Sequence, residues 1–398
     1  MKKLPKLGLL PLIIIAIAAG IGAGYIFPEW LARIFATFNA IFSAFLGFLI
    51  PVLIVAFVAP AIAEIGRGAG RMLIVTALIA YIFTFGSGLM AYFTGINFFP
   101  SMIVPDQYVA SASEAPVLAP YFTISIEPLM SVMTALVLAF VLGLGASRLH
   151  TTTMRKWLDD LRSIITITVS GAIIPLLPLY IFGIFLSMTL AGTVATILST
   201  FAKIIVIIFI LHVLLLVLQY LIAALFSHRN PFKSLWTMMP AYFTALGTQS
   251  SAATIPVTLR QTIAMGVNRE IAGFVVPLCA TIHMSGSTLK IVACALAMTI
   301  TLGHPHSIGV FMPFIAMLGI TIIAAPGVPG GAIMASLGLL SSMLGFSESD
   351  QALMIALYIA MDSFGTACNV TGDGAIAQII DRLFSRRLSK DTMVPTEQ

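Results

Sequence analysis

Charged residues are scarce in this sequence. Asp, Glu, Lys and Arg together make up 9% of the 398 residues, whereas hydrophobic residues make up 59% and the mean hydropathy is +1.07. A soluble globular domain carries about 25% charged residues, and it could not cover so much apolar surface with polar groups. The shortage of charge therefore excludes a water-soluble fold and predicts a membrane protein.

Other features are also missing, and each excludes a class of protein. The three cysteines, Cys279, Cys294 and Cys368, lie in apolar segments without metal-binding or redox spacing, so a disulfide framework is not expected. The period-2 alternation of a barrel strand is absent, which leaves the helix as the spanning element. Neither an HExxH nor a nucleophile-elbow motif is present, so we do not expect an enzyme.

The amino-terminal part of the chain contains long apolar runs, each near the roughly 20 residues that a helix needs to cross the hydrocarbon core. The first run follows the basic sequence MKKLPK without an evident cleavage site before Pro28, so it is predicted to be a spanning helix and not a signal peptide. The runs predict six spans before residue 230: Leu7–Ile26, Ile41–Ile65, Met72–Phe93, Leu129–Leu144, Ile164–Leu190 and Ile204–Leu225.

The net charge of +5 follows the predicted topology. Basic residues lie at both termini and after the even-numbered spans, while the other loops carry acidic residues. Those after spans two, four and six include Arg67, Arg155, Arg162 and Arg229. The positive-inside rule therefore places both termini in the cytoplasm of a multi-pass protein of the cell membrane. This pattern explains the charge without a nucleic-acid partner.

After residue 231 the apolar segments are interrupted by small and polar residues in mid-stretch. Four breaks are found, at residues 247–252, 283–287, 326–331 and 369–374. Irregular backbone at membrane depth must be satisfied by protein or line a cavity, so the breaks indicate a transport site. The first and third lie in stretches too long for one crossing and predict re-entrant hairpins. The order hairpin, broken span, hairpin, broken span predicts an inverted repeat.

The last apolar segment contains two carboxylates, Asp362 and Asp373, with Thr366 and Asn369 between them. The spacing i, i+4, i+7, i+11 places all four on one helix face. A carboxylate at membrane depth needs a cation, a substrate ammonium group or a proton, unless it caps a helix or forms a structural pair. On an unbroken helix the two lie roughly 16 Å apart, too far to form one enzyme active site.

Three ordered segments stand out together: residues 250–258 (SSAATIPVT), 327–331 (GVPGG) and 362–373 (DSFGTACNVTGD). They resemble the signature segments of the dicarboxylate/amino acid:cation symporter family, which contains glutamate and neutral amino acid transporters. The resemblance covers the carboxyl-terminal half in motifs and the amino-terminal half in topology. It implies an all-α, elevator-type homotrimer with eight transmembrane helices and two re-entrant helical hairpins.

The resemblance also implies a division of the chain. Residues 1–230 would form six helices, mainly scaffold and trimer contacts, with helices 3 and 6 joining the transport domain. Residues 231–388 would form the transport core of hairpin 1, broken helix 7, hairpin 2 and broken helix 8, and residues 389–398 a cytoplasmic tail. The core would carry substrate and cations across the membrane while the scaffold stays still.

Substrate-binding positions follow from the resemblance residue by residue. Asp362 matches the carboxylate that binds the substrate α-ammonium group, and Thr366 and Asn369 match residues that line the substrate carboxylate. The tips of both hairpins add further positions, and the second tip gates the site. The implied set also contains Ser250, Ser251, Ser287, Val328, Gly330 and Gly365.

For the coupling ions, the resemblance implies a metal site for sodium at Asp373 and Asn369, and no other cofactor. A second sodium site is altered because His283 replaces an asparagine; its remaining matches are Tyr81 and Thr84 on the third span. Coupling would then use fewer sodium ions, or a proton on His283. The alternative is that His283 is a neutral, hydrogen-bonded core residue.

Two departures from the family pattern favour a neutral substrate. Gly365 stands where transporters of acidic amino acids carry an arginine, and Gln249 where prokaryotic members often carry one, so the bidentate partner of a side-chain carboxylate is missing. Retention of Asp362 favours an amino acid over a plain dicarboxylate, which has no ammonium group. We therefore expect a symporter that couples sodium or proton influx to uptake of a small neutral amino acid such as serine, threonine or alanine.

Lys290 leaves an alternative open. It lies about one turn after Ser287, deep in an apolar run. It could replace the missing arginine, which would make an acidic amino acid or a dicarboxylate the substrate. It could also be the counter-ion of a carboxylate, or extend towards the outer surface near His304. A channel is the remaining alternative, but it predicts a continuous polar pore instead of isolated breaks.

Overall fold

The structure is a computed structural model, and it describes residues 8–65, 71–103, 118–149, 152–323 and 330–391. Every regular element within these ranges is helical. The all-α membrane fold predicted from the composition is therefore confirmed.

The first half of the chain forms long apolar helices. A π-helical segment at Val169–Ile173 joins two of them, so that residues 153–190 make one continuous span. The helices are α1 (Leu9–Ile26), α2 (Glu29–Ile65), α3 (Arg71–Phe98), α4 (Val132–Arg148), α5 (Thr153–Thr168), α6 (Ile174–Leu190) and α7 (Val194–Ser227).

The second half forms shorter helices that end at breaks. Asn230 caps the first of them by accepting a hydrogen bond from the backbone N–H of Lys233. The helices are α8 (Pro231–Thr237), α9 (Met239–Thr248), α10 (Ser251–Ala264), α11 (Arg269–Ile282), α12 (Ser285–Thr301), α13 (Ile308–Ile323), α14 (Gly331–Leu344), α15 (Glu348–Ala360) and α16 (Asp362–Asp391).

By length and apolar character, six spans in the described ranges can cross a membrane, and a bent pair of helices makes a seventh. The predicted fourth span corresponds to α4, which has only 17 residues because Ser131 caps its first turn. Its side chain accepts a hydrogen bond from the backbone N–H of Thr134. The predicted total of eight spans stays a prediction.

Hairpin 1 and the broken seventh span lie where the sequence predicts them. Helices α9 and α10 pack against each other, and the chain turns between them at Gln249, whose φ of 53° is in the left-handed region. In the seventh span α11 ends at Ile282 and α12 begins at Ser285. Hairpin 2 consists of α13 and α14, but most of its predicted break lies in residues 324–329, outside the described residues.

The predicted break at residues 369–374 is wrong. Helix α16 runs through these residues, and the break in the eighth span is at Met361, where α15 and α16 meet at 61°. The glycines in this stretch allow close packing instead: a Cβ on Gly372 would clash with the side chain of Gln219 on α7. A glycine inside an apolar run therefore marks a helix contact here and not a helix end.

The helices pack in two groups. Helices α1, α2, α4, α5 and α6 contact mainly one another, while α3 and α7 pack against α12 and α16. All 17 residues of α12 are buried, so this helix lies at the centre of the second group. The groups meet where α14 contacts α2 and where α15 contacts α1 and α6.

Two glycines of α3 provide a test of this packing. A Cβ on Gly88 would lie 2.5 Å from Cγ2 of Ile315 and 3.2 Å from Cγ2 of Thr288, whereas a Cβ on Gly86 would meet nothing within 4 Å. We expect Gly88→Ala to destabilise the protein by about 1–3 kcal/mol. Gly86→Ala should be neutral or slightly stabilising, because alanine favours the helix. Thermal unfolding in detergent measures both variants, and equal melting temperatures would contradict the packing.

Candidate functional site

A small cavity lies between the tip of hairpin 1, the break of the seventh span and the first turns of α16. Its volume is about 90 Å³, against ~300–1,000 Å³ for pockets that hold drug-sized ligands. A larger cavity of about 460 Å³ lies between α2, α4, α6, α14 and α15, away from the polar breaks. The residues lining the small cavity include Gln249, Ser250, Ser251, Met284, Ser287, Tyr358, Asp362, Thr366 and Asn369.

Both carboxylate oxygens of Asp362 are bound by protein groups. The ammonium group of Lys290 donates to Oδ1 at 2.9 Å, and the backbone N–H of Gly330 donates to Oδ2 at 2.9 Å. Asp362 is 4% exposed and Lys290 is 0% exposed. Because both charges lie outside water, each depends on the other for compensation.

The surroundings of Lys290 decide between its predicted roles. Its Nζ lies 3.4 Å from the carbonyl oxygen of Met361, 3.5 Å from that of Tyr358 and 3.4 Å from the centroid of the Tyr358 ring. Complete burial excludes an extension towards the outer surface near His304. A Cβ on Gly365 would lie 2.8 Å from Nζ, so the glycine leaves the space that the lysine occupies. In this structure Lys290 is the counter-ion of Asp362.

Asn369 binds the break of the seventh span. Its Oδ1 accepts from the backbone N–H of Gly286 at 2.7 Å and from that of Ser287 at 3.4 Å. Its Nδ2 donates to Oγ of Ser287 at 3.1 Å, and the hydroxyl of Tyr358 donates to the same Oγ at 3.1 Å. The first N–H groups of α12 are thus satisfied by an amide side chain of α16.

The tip of hairpin 1 borders the cavity through the start of α10. Ser250 caps this helix, and its Oγ accepts from the backbone N–H of Ala253 at 3.3 Å. Ser251 and Thr366 also line the cavity. Val328, predicted at the tip of hairpin 2, lies outside the described residues.

A second buried pair lies deeper, between α11 and α16. Nδ1 of His283 and Oδ1 of Asp373 are 2.9 Å apart, and both side chains are buried. Gln219 donates to Oγ of Ser285 at 3.0 Å, and its Nε2 lies 3.5 Å from Nε2 of His283. Oδ2 of Asp373 and Oε1 of Gln219 have no hydrogen-bond partner among the described residues. Buried oxygens of this kind are ligands that a hard cation or a water molecule would use.

The predicted cation residues of the third span divide between two places. Oγ1 of Thr84 accepts from the backbone N–H of Met284 at 3.3 Å, so Thr84 lies at the seventh-span break. The hydroxyl of Tyr81 donates to the carbonyl of Ala316 on α13 at 3.1 Å. The structure thus brings Asp373 to His283, while Tyr81 binds a different helix.

Sequence reasoning missed three residues. Tyr358 lies four residues before Asp362, on the apolar side of the break, and only its contact with Lys290 reveals its role. Gln219 is a rare polar residue within an apolar span, a signal that could have identified it. Arg162, which the charge pattern assigns to a cytoplasmic loop, lies within α5 and lines the cavity.

Known proteins are similar to this chain in sequence. A sequence profile described as the sodium:dicarboxylate symporter family matches residues 9–383. Excitatory amino acid transporter 4 of Mus musculus is 33% identical over 169 residues, which cover 42% of this chain and 30% of that protein. Serine/threonine transporter SstT of Acinetobacter baumannii (strain AYE) is 25% identical over 401 residues, which cover 94% of this chain and 97% of that protein. The chain thus aligns with under a third of the mouse protein.

The buried ion pair gives a test of the site. We expect Lys290→Met or Asp362→Asn alone to destabilise the protein by about 3–5 kcal/mol, because each leaves one buried charge without its partner. The double variant should recover most of that loss. The pair of Arg229 and Asp381, 2.9 Å apart, is the control; breaking it should cost less, because the Arg229 side chain is 30% exposed. Additive losses in the double variant, measured by thermal unfolding, would contradict the coupling.

Proposed function

Because the chain belongs to the sodium:dicarboxylate symporter family, we propose that it is a secondary active symporter of the cell membrane. It couples the influx of sodium or protons to the uptake of a small neutral amino acid such as serine, threonine or alanine. The observation that carries the proposal is the buried pair of Lys290 and Asp362 at the edge of a small cavity.

The charge of this buried site favours a zwitterionic substrate. The opposite charges of Lys290 and Asp362 sum to zero. A neutral amino acid brings one ammonium and one carboxylate group, so the occupied site also sums to zero. An acidic amino acid would add one negative charge that this pair does not compensate and a dicarboxylate two, and an unpaired charge in a buried site is strongly unfavourable. The other cation that lines the cavity, Arg162, is only half-buried, and a partly hydrated cation compensates such a charge less strongly.

The two charged groups of such a substrate have matching partners in the cavity. Asp362 takes the α-ammonium group, as the family resemblance implies. The amino terminus of α10, which begins at Ser251 beside the cavity, favours the α-carboxylate through its free N–H groups and its helix dipole. Thr366 adds a hydroxyl on the opposite wall. The small cavity favours a small side chain such as that of alanine, serine or threonine.

The alternative substrate is an acidic amino acid or a dicarboxylate bound by Lys290. It has less support, because the ammonium group of Lys290 is directed at Asp362 and at two backbone carbonyls. The relative that aligns over nearly the whole chain is also named a serine/threonine transporter. Gly365 provides no cation in place of the missing arginine.

The coupling ion is assigned to the region around Asp373. The unpartnered oxygens of Asp373 and Gln219 support a cation there. The bond between His283 and Asp373 supports a site with fewer ligands than in relatives that carry an asparagine at position 283. Sodium is the coupling ion typical of the family, and a proton shared by this pair is the alternative.

The larger architecture follows the family. Residues 1–230 are assigned mainly to a scaffold. Spanning helices 3 and 6, which are α3 and α7 in this structure, join the transport core of residues 231–388. The packing of α3 and α7 against α12 and α16 supports this division. Assembly as an elevator-type homotrimer, cytoplasmic termini and a cytoplasmic tail at residues 389–398 complete the proposal.

Uptake by the purified protein in liposomes tests the function. Serine, threonine and alanine should accumulate under an inward cation gradient, while aspartate and succinate should not. Asp362→Asn should abolish uptake because it removes the charge that binds the α-ammonium group. Asp381→Asn, a carboxylate of the same helix outside the cavity, should retain it. Normal amino acid uptake by Asp362→Asn would refute the assignment.

The coupling ion is tested by imposing sodium and proton gradients separately. If sodium binds at Asp373, Asp373→Asn should raise the sodium concentration for half-maximal uptake by about tenfold or more, because the charged ligand is lost. The same variant should leave the affinity for serine at saturating sodium nearly unchanged. An unaltered sodium dependence in Asp373→Asn would show that sodium binds elsewhere.

A further inference from the structure

The lysine ammonium lies in a site built for a primary ammonium group. Such a group has three N–H donors. Three oxygens surround Nζ of Lys290: Oδ1 of Asp362 at 2.9 Å and the carbonyls of Met361 and Tyr358 at 3.4 and 3.5 Å. The face of the Tyr358 ring, 3.4 Å away, adds a cation–π contact. Each carbonyl already accepts one backbone N–H, that of Met361 at Tyr358 and that of Gly365 at Met361, and its second lone pair faces the ammonium group.

The lysine and the substrate ammonium therefore require the same carboxylate. The other oxygen of Asp362 is bound by Gly330 N–H at 2.9 Å, at the start of the second arm of hairpin 2. A substrate ammonium on Asp362 must displace one of these two donors. The ammonium of Lys290 is the donor of the same charge and the same geometry, and it is held by a flexible side chain that can move away.

We propose that Lys290 is a tethered competitor for the substrate ammonium group: it neutralises Asp362 whenever no amino acid is bound, and gives up the carboxylate when one binds. This inference rests on the proposed function. It assigns Lys290 a role in selecting the substrate, because only a ligand with an ammonium group replaces the contact with Asp362 that the lysine gives up.

The exchange keeps the buried charge constant. Asp362 passes from the ammonium group of the lysine to that of the substrate, and the end of the Lys290 side chain moves out of the three-oxygen site. When no substrate is bound, Lys290 compensates the charge of Asp362. The transport core then needs no additional cation at Asp362 in order to move across the membrane. The exchange also requires Gly365, because any side chain at this position would clash with the lysine.

Methylammonium, the smallest primary alkylammonium ion, tests the shared site directly. Lys290→Met leaves the three oxygens without their ammonium group. Methylammonium should therefore raise the melting temperature of Lys290→Met, by binding the folded protein. It should not raise that of the wild type or of the Lys290→Met/Asp362→Asn double variant, relative to an equal concentration of tetramethylammonium, which has no N–H donor. No selective stabilisation of Lys290→Met would overturn the proposal.

The affinity for amino acids separates competition from direct binding by the lysine. If Lys290 competes with the substrate, Lys290→Met should lower the Kd of serine by about tenfold or more. If Lys290 binds the substrate carboxylate permanently, the Kd should rise, and if it only stabilises the helix break, the Kd should not change. Either of these two outcomes overturns the proposal.

Gly365→Ala provides a second variant that keeps both charges. Its Cβ would push the end of the Lys290 side chain away from its position, so the Kd of serine should fall severalfold if the lysine competes. An unchanged or raised Kd in folded Gly365→Ala contradicts the proposal, even where Lys290→Met does not fold. If the proposed function is wrong, the wild type will bind and transport none of the amino acids. The methylammonium test still distinguishes the two failures, since it does not depend on the identity of the substrate.

Discussion

The ion pair between Lys290 and Asp362 is the interaction on which the packing around α12 depends. It joins the central helix α12 to the break of the eighth span and, through Gly330, to hairpin 2. A buried pair is tolerated only when the remaining donors and acceptors of both groups are also satisfied. The carbonyls of Met361 and Tyr358 meet this condition, so the helix break and the ion pair stabilise each other.

Much of the fold could be predicted because the lipid environment imposes simple rules on the sequence. Long apolar runs gave the helices of the first half, and clusters of small polar residues gave the breaks at 247–252 and 283–287. The same rule was wrong at 369–374, because glycine serves close helix contacts as well as breaks. The true break at Met361 has no glycine or proline beside it. The carbonyls of Met361 and Tyr358 also accept from a lysine of another helix, a contact that local sequence does not reveal.

Only part of the candidate site could likewise be predicted from the sequence. The polar face of the last helix could be predicted from residue spacing, because the four residues belong to one regular element. The partners of these residues come from elements far away in the chain, and three roles for Lys290 remained open until its burial and distances were known. Gln219 is another partner from a distant element, because the packing of α7 brings it to the pair of His283 and Asp373.

The complete burial of α12 has a consequence for biosynthesis. Lys290 is made 72 residues before the carboxylate that compensates it. A helix carrying an unpaired ammonium group is poorly suited to wait in lipid, since a charge at the bilayer centre is unfavourable. The seventh span must therefore remain beside the insertion machinery, or in contact with earlier helices such as α3, until the eighth arrives. We therefore expect the last helix to complete the insertion of its predecessor.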